Sequence, residues 1–371
     1  MHTQTILISG GGIAGLTLAH WLARRGFTPV ITERAAGPRP GGQAIDIRGA
    51  ALEVVRRMGL GDQAQAARTQ LRGMVMLDGQ GRETWRSQER TYTGGVIGNS
   101  DIELLREDLV GLLEPTVGEE IERLYGDSVT ALEQDGGGVR VSFSHAAPRT
   151  FDLVVGADGL HSRVRELAFG PEGSFLNHLG SYVAIFGADN FLDLQDWQVW
   201  VTEGTAGYGI YPVHGNTEMR VSFGFASGPL AYDYHDIGQQ KQIVAGQLAP
   251  LHWETARLLA AMRRAPDFYF DAMAQVRMEH WSRGRVVLAG DAGYCSSPLS
   301  GQGTSLALVG AYVLAEELER ADGDQQAAFA GYEARMRPFV QLNQALAVEN
   351  PGGPPADESV EQAKNAISLD Q

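Results

Sequence analysis

Between an apolar run, Thr5 to Ser9, and a helical pattern, Ile13 to Arg25, the chain carries Gly10-Gly11-Gly12-Ile13-Ala14-Gly15. This is the spacing G-x-G-x-x-G in the context where it constrains a fold. A second short apolar strand, Pro29 to Thr32, follows, so the order is strand, helix, strand, the unit that builds a parallel sheet. Each glycine has its own reason to be there: Gly10 permits the tight turn, Gly12 lets an anion approach the backbone, and Gly15 lets the helix pack closely on the strand. The helix opens with Ile13 and Ala14, whose amides lie at the positive end of its dipole. Glu33 ends the second strand about 20 residues on, where a carboxylate accepts from a ribose hydroxyl, and Arg34 stands beside it. The unit predicts a dinucleotide site without choosing between NAD and FAD.

Further along, a helical pattern from Ile102 to Leu113 has an apolar face of Leu104, Leu105, Leu109, Leu112 and Leu113, with Arg106 beside it. Strands are predicted at Ser128 to Glu133 and Val139 to Ser144, joined through Gly136-Gly137-Gly138, and at Phe151 to Val155. From about Phe175 to Ala274 the pattern changes to strands rich in aromatic and β-branched residues, with helices near Gln239 to Leu248 and Glu254 to Arg263. Those strands are Val183 to Phe186, Gln198 to Thr202, Tyr208 to Val213 and Met219 to Phe225. After Gln275 a strand, Val286 to Ala289, leads through Gly290-Asp291 and the loop Tyr294 to Gly303 into a helix ending at Leu318. The expected fold class is α/β, a Rossmann-like nucleotide-binding domain with an inserted antiparallel β-sheet domain. Residues 1–72, 97–174 and 275–350 would form the first, 73–96 and 175–274 the second, and 351–371 a Pro-Gly linker and polar tail.

The formal net charge of −15 repels nucleic acid and anionic membrane, so neither partner is expected. Of the 30 basic residues only Lys241 and Lys364 are lysines; the rest are guanidinium groups suited to phosphate. Cys295 is the one cysteine and reads as a small buried hydrophobe. The chain passes from Met1 straight into the first strand without a basic leader, and its longest apolar candidate span, Leu306 to Ala315, meets Glu316-Glu317. These features predict a cytoplasmic protein.

Three elements in order carry a resemblance: GGGIAG at 10 to 15, DLVVGADGLHSRVR at 152 to 165, and GRVVLAGDAGYCSSPLSGQG at 284 to 303. They resemble the single-component FAD-dependent aromatic hydroxylases typified by para-hydroxybenzoate hydroxylase. GGQAIDIRGAALEVVRRMGL at 41 to 60 is most similar to the tetracycline-inactivating branch. The resemblance runs to about Asn350 and implies a GR2-type FAD-binding domain, with FAD as cofactor and NADPH or NADH as transient co-substrate. It implies that Glu33 holds the adenosine ribose, that Arg106 reaches the FAD ribose and phosphates, and that Asp291 accepts from the ribityl hydroxyls. Asp158 would lie near the pyrophosphate; its other reading is an N-cap for the helix after His161. Pro298 would shape the oxygen-facing side of the flavin. Gly301, Gln302, Gly303 and Thr304 would bring a helix head to the flavin N(1) and C(2) carbonyl region, favouring negative charge there. Arg48, in the loop expected to pass the flavin, is a further contact. Two residues depart from the family pattern: Tyr294 stands for histidine and Ser305 for asparagine.

The implied function is insertion of one oxygen atom from O2 into an aromatic or polyketide-like molecule, by a monomer or homodimer. A flavin-dependent halogenase needs an active-site lysine and a tryptophan-rich motif; neither lysine is well placed and that motif is missing. A flavin-dependent reductase, and a redox-silent protein that binds or cyclises a ligand around structural FAD, remain as alternatives. The second draws only on the departures at Tyr294 and Ser305. Trp200, Tyr211 and Phe223 are the candidates for a pocket taking a planar, largely apolar substrate.

Overall fold

The computed structural model describes residues 4–350 and 353–370. Met1 to Thr3 of the start, Pro351 and Gly352 of the expected linker, and Gln371 lie outside the described residues. A six-stranded sheet runs in the order Ser282–Arg283, Val286–Leu288, Leu153–Gly156, Thr5–Ser9, Thr28–Glu33, Glu122–Tyr125. All its pairs are parallel except that of Ser282–Arg283 with Val286–Leu288. Ile6, Leu7 and Ile8 are fully buried, the mark of a parallel strand covered on both faces. The helices Ile13–Arg24 and Gly303–Arg320 pack against each other in the core that covers this sheet. Ser9 pairs in register with both Thr32 and Gly156, so the ends of three strands reach the Gly10 turn together.

The second sheet has the order Tyr269–Val276, Leu176–Asp189, Glu218–Ala226, Ala206–Val213, Trp197–Glu203, Gly73–Leu77, Glu83–Ser87. It is antiparallel apart from the parallel pair Trp197–Glu203 with Gly73–Leu77. A chain crossing back from residue 77 to 197 makes that parallel contact possible. Its aromatic core, including Tyr182, Phe186, Tyr208, Phe223 and Phe270, packs beneath the helices Ile237–Leu248 and Thr255–Arg264.

Two elements differ from the sequence expectation. The pattern read as one helix from Ile102 splits into a strand, Ile102–Leu105, and a helix, Arg106–Leu113. Ile-Glu-Leu-Leu suits either state, and the strand Ala44–Ile47, which had no strong signal of its own, pairs with it and decides the outcome. Helix begins at Arg106, where Glu107 and Asp108 complement the dipole of the first turn. The tail beyond the linker is docked through the helix Asp357–Lys364: Ala363 and Leu369 are buried, and Asn343 Nδ2 donates to the Ala363 carbonyl at 3.0 Å. Among the described residues no helix is long and apolar enough to cross a membrane.

Candidate active site

The three glycines of the first turn separate by what surrounds them. A Cβ on Gly10 (φ +112°) would stand 2.3 Å from the Ala157 carbonyl oxygen, and one on Gly15 1.9 Å from the Gly10 carbonyl oxygen. A Cβ on Gly12 would meet nothing within 4 Å among the described residues. Gly10 and Gly15 therefore serve packing, while Gly12 leaves space at the head of the helix Ile13–Arg24, whose first turn has neither a side-chain cap nor an acid. Amides left free at a helix head suit a phosphate. Glu33 closes the turn from behind, accepting from Gly11 N and Ala35 N, each at 2.8 Å. An ionised carboxylate has lone pairs left for a ribose hydroxyl.

Arg106 is the first residue of its helix, and its backbone amide donates to the Gln43 carbonyl at 3.0 Å. Its guanidinium is buried enough that Nη1 has no partner among the described residues. Burial, with Arg39 nearby, pulls its pKa down to about 10 against the pull of Glu33 and Glu107. A buried cation with an unspent donor is costly unless an anion meets it, and a phosphate offers the charge and the acceptors. Arg39, whose guanidinium lies 5.7 Å from the Tyr269 ring centroid, is a second cation here that the sequence reading missed. Only its place in a Pro-Gly-rich loop before a strand marked it. Arg34 is exposed.

The third element approaches from the opposite end of the chain. Gly290 (φ +62°) turns the chain into the short helix Asp291–Tyr294. Asp291 is exposed by area yet walled in by protein, as on the side of an open cleft, and loss of bulk water pushes its carboxyl up, against the opposing Cys295. Asp291 Oδ1 lies 3.9 Å from where a Cβ on Gly303 would stand, so the carboxylate faces the head of the 18-residue helix Gly303–Arg320. Pro298 is exposed and opens the short helix Pro298–Ser300; Gly301 (φ +63°) closes it. Gln302 is 0% exposed and both its amide atoms are without a partner among the described residues. Thr304 is buried in the first turn. Buried donors and acceptors left open beside a helix head fit a polar ring edge such as that of a flavin.

Arg48 joins this end to the small strand pair. Its backbone amide donates to Ser305 Oγ at 3.1 Å, and its Nη2 lies 3.8 Å from the Cβ position of Gly301. Nη2 also donates to Asp46 Oδ2 at 2.9 Å and to the Thr93 carbonyl at 3.1 Å. Ser305 is thus a fastening point for the loop. Tyr294 is a core residue: its hydroxyl is 2.7 Å from that of Tyr332 and fills the space over Gly310, where a Cβ would come within 2.0 Å of it. Packing accounts for the tyrosine, and the bond from Arg48 for the serine.

The N-cap of the helix Arg163–Phe169 is Ser162, whose Oγ accepts from Arg165 N, and not Asp158, which supports that cap by accepting from Ser162 Oγ and from Val164 N at 3.1 Å. Of the three substrate candidates, Tyr211 and Phe223 have no exposed surface. Tyr211 Oη accepts from Ala44 N at 2.8 Å and so ties the second sheet to the small strand pair Ala44–Ile47 and Ile102–Leu105, while Phe223 packs on Phe186 and Tyr208. Trp200 alone reaches accessible space.

Residues 2–345 match the family described as FAD binding domain. The chain belongs to the FAD-dependent monooxygenase family, and FAD is its cofactor. A flavin-dependent monooxygenase of Legionella longbeachae serogroup 1 (strain NSW150) is 38% identical over 343 residues, 92% of this chain and 87% of that one. An uncharacterised protein of Mycobacterium tuberculosis (strain CDC 1551 / Oshkosh) is 49% identical over 99% of both chains. Among solved structures, the tetracycline destructase Tet(55) superposes with a TM-score of 0.88 at 36% identity, over 100% of this chain and 99% of that one.

Proposed function

We propose that this monooxygenase takes its electrons from NADPH or NADH and inserts one atom of O2 into a planar aromatic or polyketide-like molecule. The observation that carries the reading is Asp291 facing the uncapped head of the helix Gly303–Arg320. When bound there, FAD supplies the hydride acceptance and oxygen activation. The chain supplies position and charge. The amides at Gly12 and the guanidinium of Arg106 would take the phosphates, Glu33 the adenosine ribose and Asp291 a ribityl hydroxyl. The free amides from Gly303 onward would favour negative charge on the ring they face. No second G-x-G-x-x-G follows the first, which favours nicotinamide visiting the flavin over residence in a domain of its own.

Tetracycline destructase relatives support a fused-ring substrate. The redox-silent alternative loses its motive, because Tyr294 and Ser305 are spent on packing and on holding Arg48. The deciding experiment incubates FAD-loaded protein with NADPH, isotopically labelled O2 and a panel of phenols and polyketides. One labelled atom in a product, with substrate-stimulated NADPH oxidation, supports the reading. NADPH oxidation without label in any product reduces the protein to a flavin reductase or oxidase.

A further inference from the structure

Beside the flavin loop lies an aromatic surface that is held more rigidly than its exposure requires. The short hairpin of Arg90–Thr91 and Gly95–Val96 carries Tyr92 and Thr93 at its tip, over the strand Trp197–Glu203. Gln198, fully buried in that strand, fastens the tip: Oε1 accepts from Tyr92 N at 2.9 Å and from Trp200 Nε1 at 3.1 Å, and Nε2 donates to Thr93 Oγ1. Three of the four hydrogen bonds that this amide can make thus serve two aromatic residues and their loop. Trp200 lies over Gly209, where a Cβ would come 2.5 Å from the indole, so that neighbour must be glycine for the ring to lie flat. Tyr92 lies against Trp200 with ring centroids 4.3 Å apart and the planes tilted by 35°.

Despite this support Tyr92 stays 44% exposed, while burial of its other side raises its phenol pKa. Thr93, the next residue, passes its carbonyl to Arg48, which reaches the Gly301 turn. An unbroken line of contacts therefore runs from the flavin loop through Arg48 and Thr93 to Tyr92 and Trp200. Arg48 Nη2 is spent on Asp46 and Thr93, but Nε is buried without a partner among the described residues.

We propose that Tyr92, backed by Trp200, is the face on which the substrate's fused ring system stacks, with Gln198 as the positioning residue that holds both aromatic side chains. The assignment rests on the monooxygenase reading and gives the flat, fused-ring substrate its contact surface. An aromatic face locked in place before binding loses little freedom when a ring lands on it, and stacking area grows with ring number. A single ring gains little from it.

The test uses FAD-loaded, oxidised protein without nicotinamide, so that binding is read apart from turnover. Alizarin, a three-ring dihydroxyanthraquinone, and catechol, a single ring, are titrated against wild type, Tyr92→Leu, Tyr92→Phe and Gln198→Ala, following ligand and flavin absorbance. Tyr92→Leu keeps Trp200 covered but removes the aromatic face; alizarin should bind it roughly tenfold more weakly, with catechol nearly unchanged. Tyr92→Phe should match wild type, and Gln198→Ala, with both aromatic side chains present but loosened, should fall between. Equal alizarin affinity in wild type and Tyr92→Leu, an equal loss for catechol, or no alizarin binding to wild type overturns the proposal. Should Tyr92→Leu fail to hold FAD, the Gln198→Ala titration decides alone, and wild-type affinity there overturns it as well. Tyr92-dependent binding with no labelled oxygen in any product would sink the monooxygenase reading and leave this surface standing.

Discussion

Asp46 and Glu103 stand directly opposite each other on the antiparallel strands Ala44–Ile47 and Ile102–Leu105, two carboxylates in register beside the flavin loop. Like charges so placed oppose each other. Burial pushes both carboxyls up, Asp46 to about 7 although Arg48 pulls the other way. Thr69 Oγ1 donates to Glu103 Oε1 at 2.6 Å, while Oε2 has no partner among the described residues. Arg68 and Tyr211 also face the pair, as does Asp101, itself held by Lys364.

An acid at about 7 in the folded chain, against about 3.9 unfolded, binds its proton more tightly when folded. Its contribution to stability is therefore complete at low pH and is lost as pH rises from about 4 through about 7. Wild type should melt at a lower temperature at about pH 8 than at about pH 5. Glu103→Gln removes one of the opposed charges, lowers the Asp46 carboxyl and should make that decline shallower. Asp46→Asn, a stand-in for the neutral carboxyl, should flatten it further. Melting curves across that pH range decide the matter; parallel declines in all three proteins would refute the pairing.

Arg106 trades stability for binding. Its Nη1, without a partner among the described residues, makes it a costly buried cation when no phosphate meets it. Arg106→Met should raise the FAD dissociation constant at least about tenfold and leave the FAD-free protein as stable as wild type or more so. Arg106→Lys should recover only part of the affinity, since a point charge cannot present the guanidinium fork. Flavin titrations and urea unfolding separate the two effects. A destabilised FAD-free Arg106→Met protein would mark the residue as structural.

Lys364 Nζ is 2.9 Å from Asp101 Oδ2, with side chains only 6% and 4% exposed. Removing one member strands the other charge, so Lys364→Met should cost about 3–5 kcal/mol in urea unfolding, while Lys364→Met with Asp101→Asn should recover much of it. A loss below about 1 kcal/mol in the single variant would mean that the tail is only loosely seated.

How far the sequence could be read follows from how local each determinant is. Gly15 and the Gly303–Arg320 helix were legible because their reasons lie within a few residues of them; Gly10 and Glu33 were legible through the motif's spacing, although Gly10 packs on Ala157 and Glu33 accepts from Gly11. The strand Ala44–Ile47 was not, because its pattern is weak and its partner lies at Ile102–Leu105. For the same reason Asp46 and Glu103 gave no warning of their opposition. Lys364 looked like a tail residue until Asp101 came up against it. Tyr211 and Phe223 were chosen for residue type, and type alone cannot tell a core ring from a pocket ring; Tyr92, in the turn after a two-residue strand, offered no periodicity at all.

The glycines allow the sharpest test of the cofactor cradle, because two neighbours in one motif should fail in opposite ways. An alanine methyl at Gly15 would lie 1.9 Å from the Gly10 carbonyl oxygen, so the backbone must move. Gly15→Ala should lose about 3 kcal/mol whether or not FAD is present. Gly12 has φ −87°, a conformation alanine adopts freely, and open space around its Cβ position. Gly12→Ala should unfold in urea within about 1 kcal/mol of wild type, yet bind FAD at least about tenfold more weakly, because the methyl stands where the pyrophosphate must approach. Gly303→Ala makes the same argument at the other end of the cleft: its methyl would meet only Asp291 Oδ1, at 3.9 Å, and should leave the FAD-free fold intact while weakening flavin binding. Each protein is measured twice, by urea unfolding without FAD and by quenching of flavin fluorescence on titration. If Gly12→Ala binds FAD like wild type, the open space at the first turn is not where the cofactor's phosphates sit. If Gly12→Ala and Gly15→Ala lose stability alike, the division between a packing glycine and a binding glycine collapses.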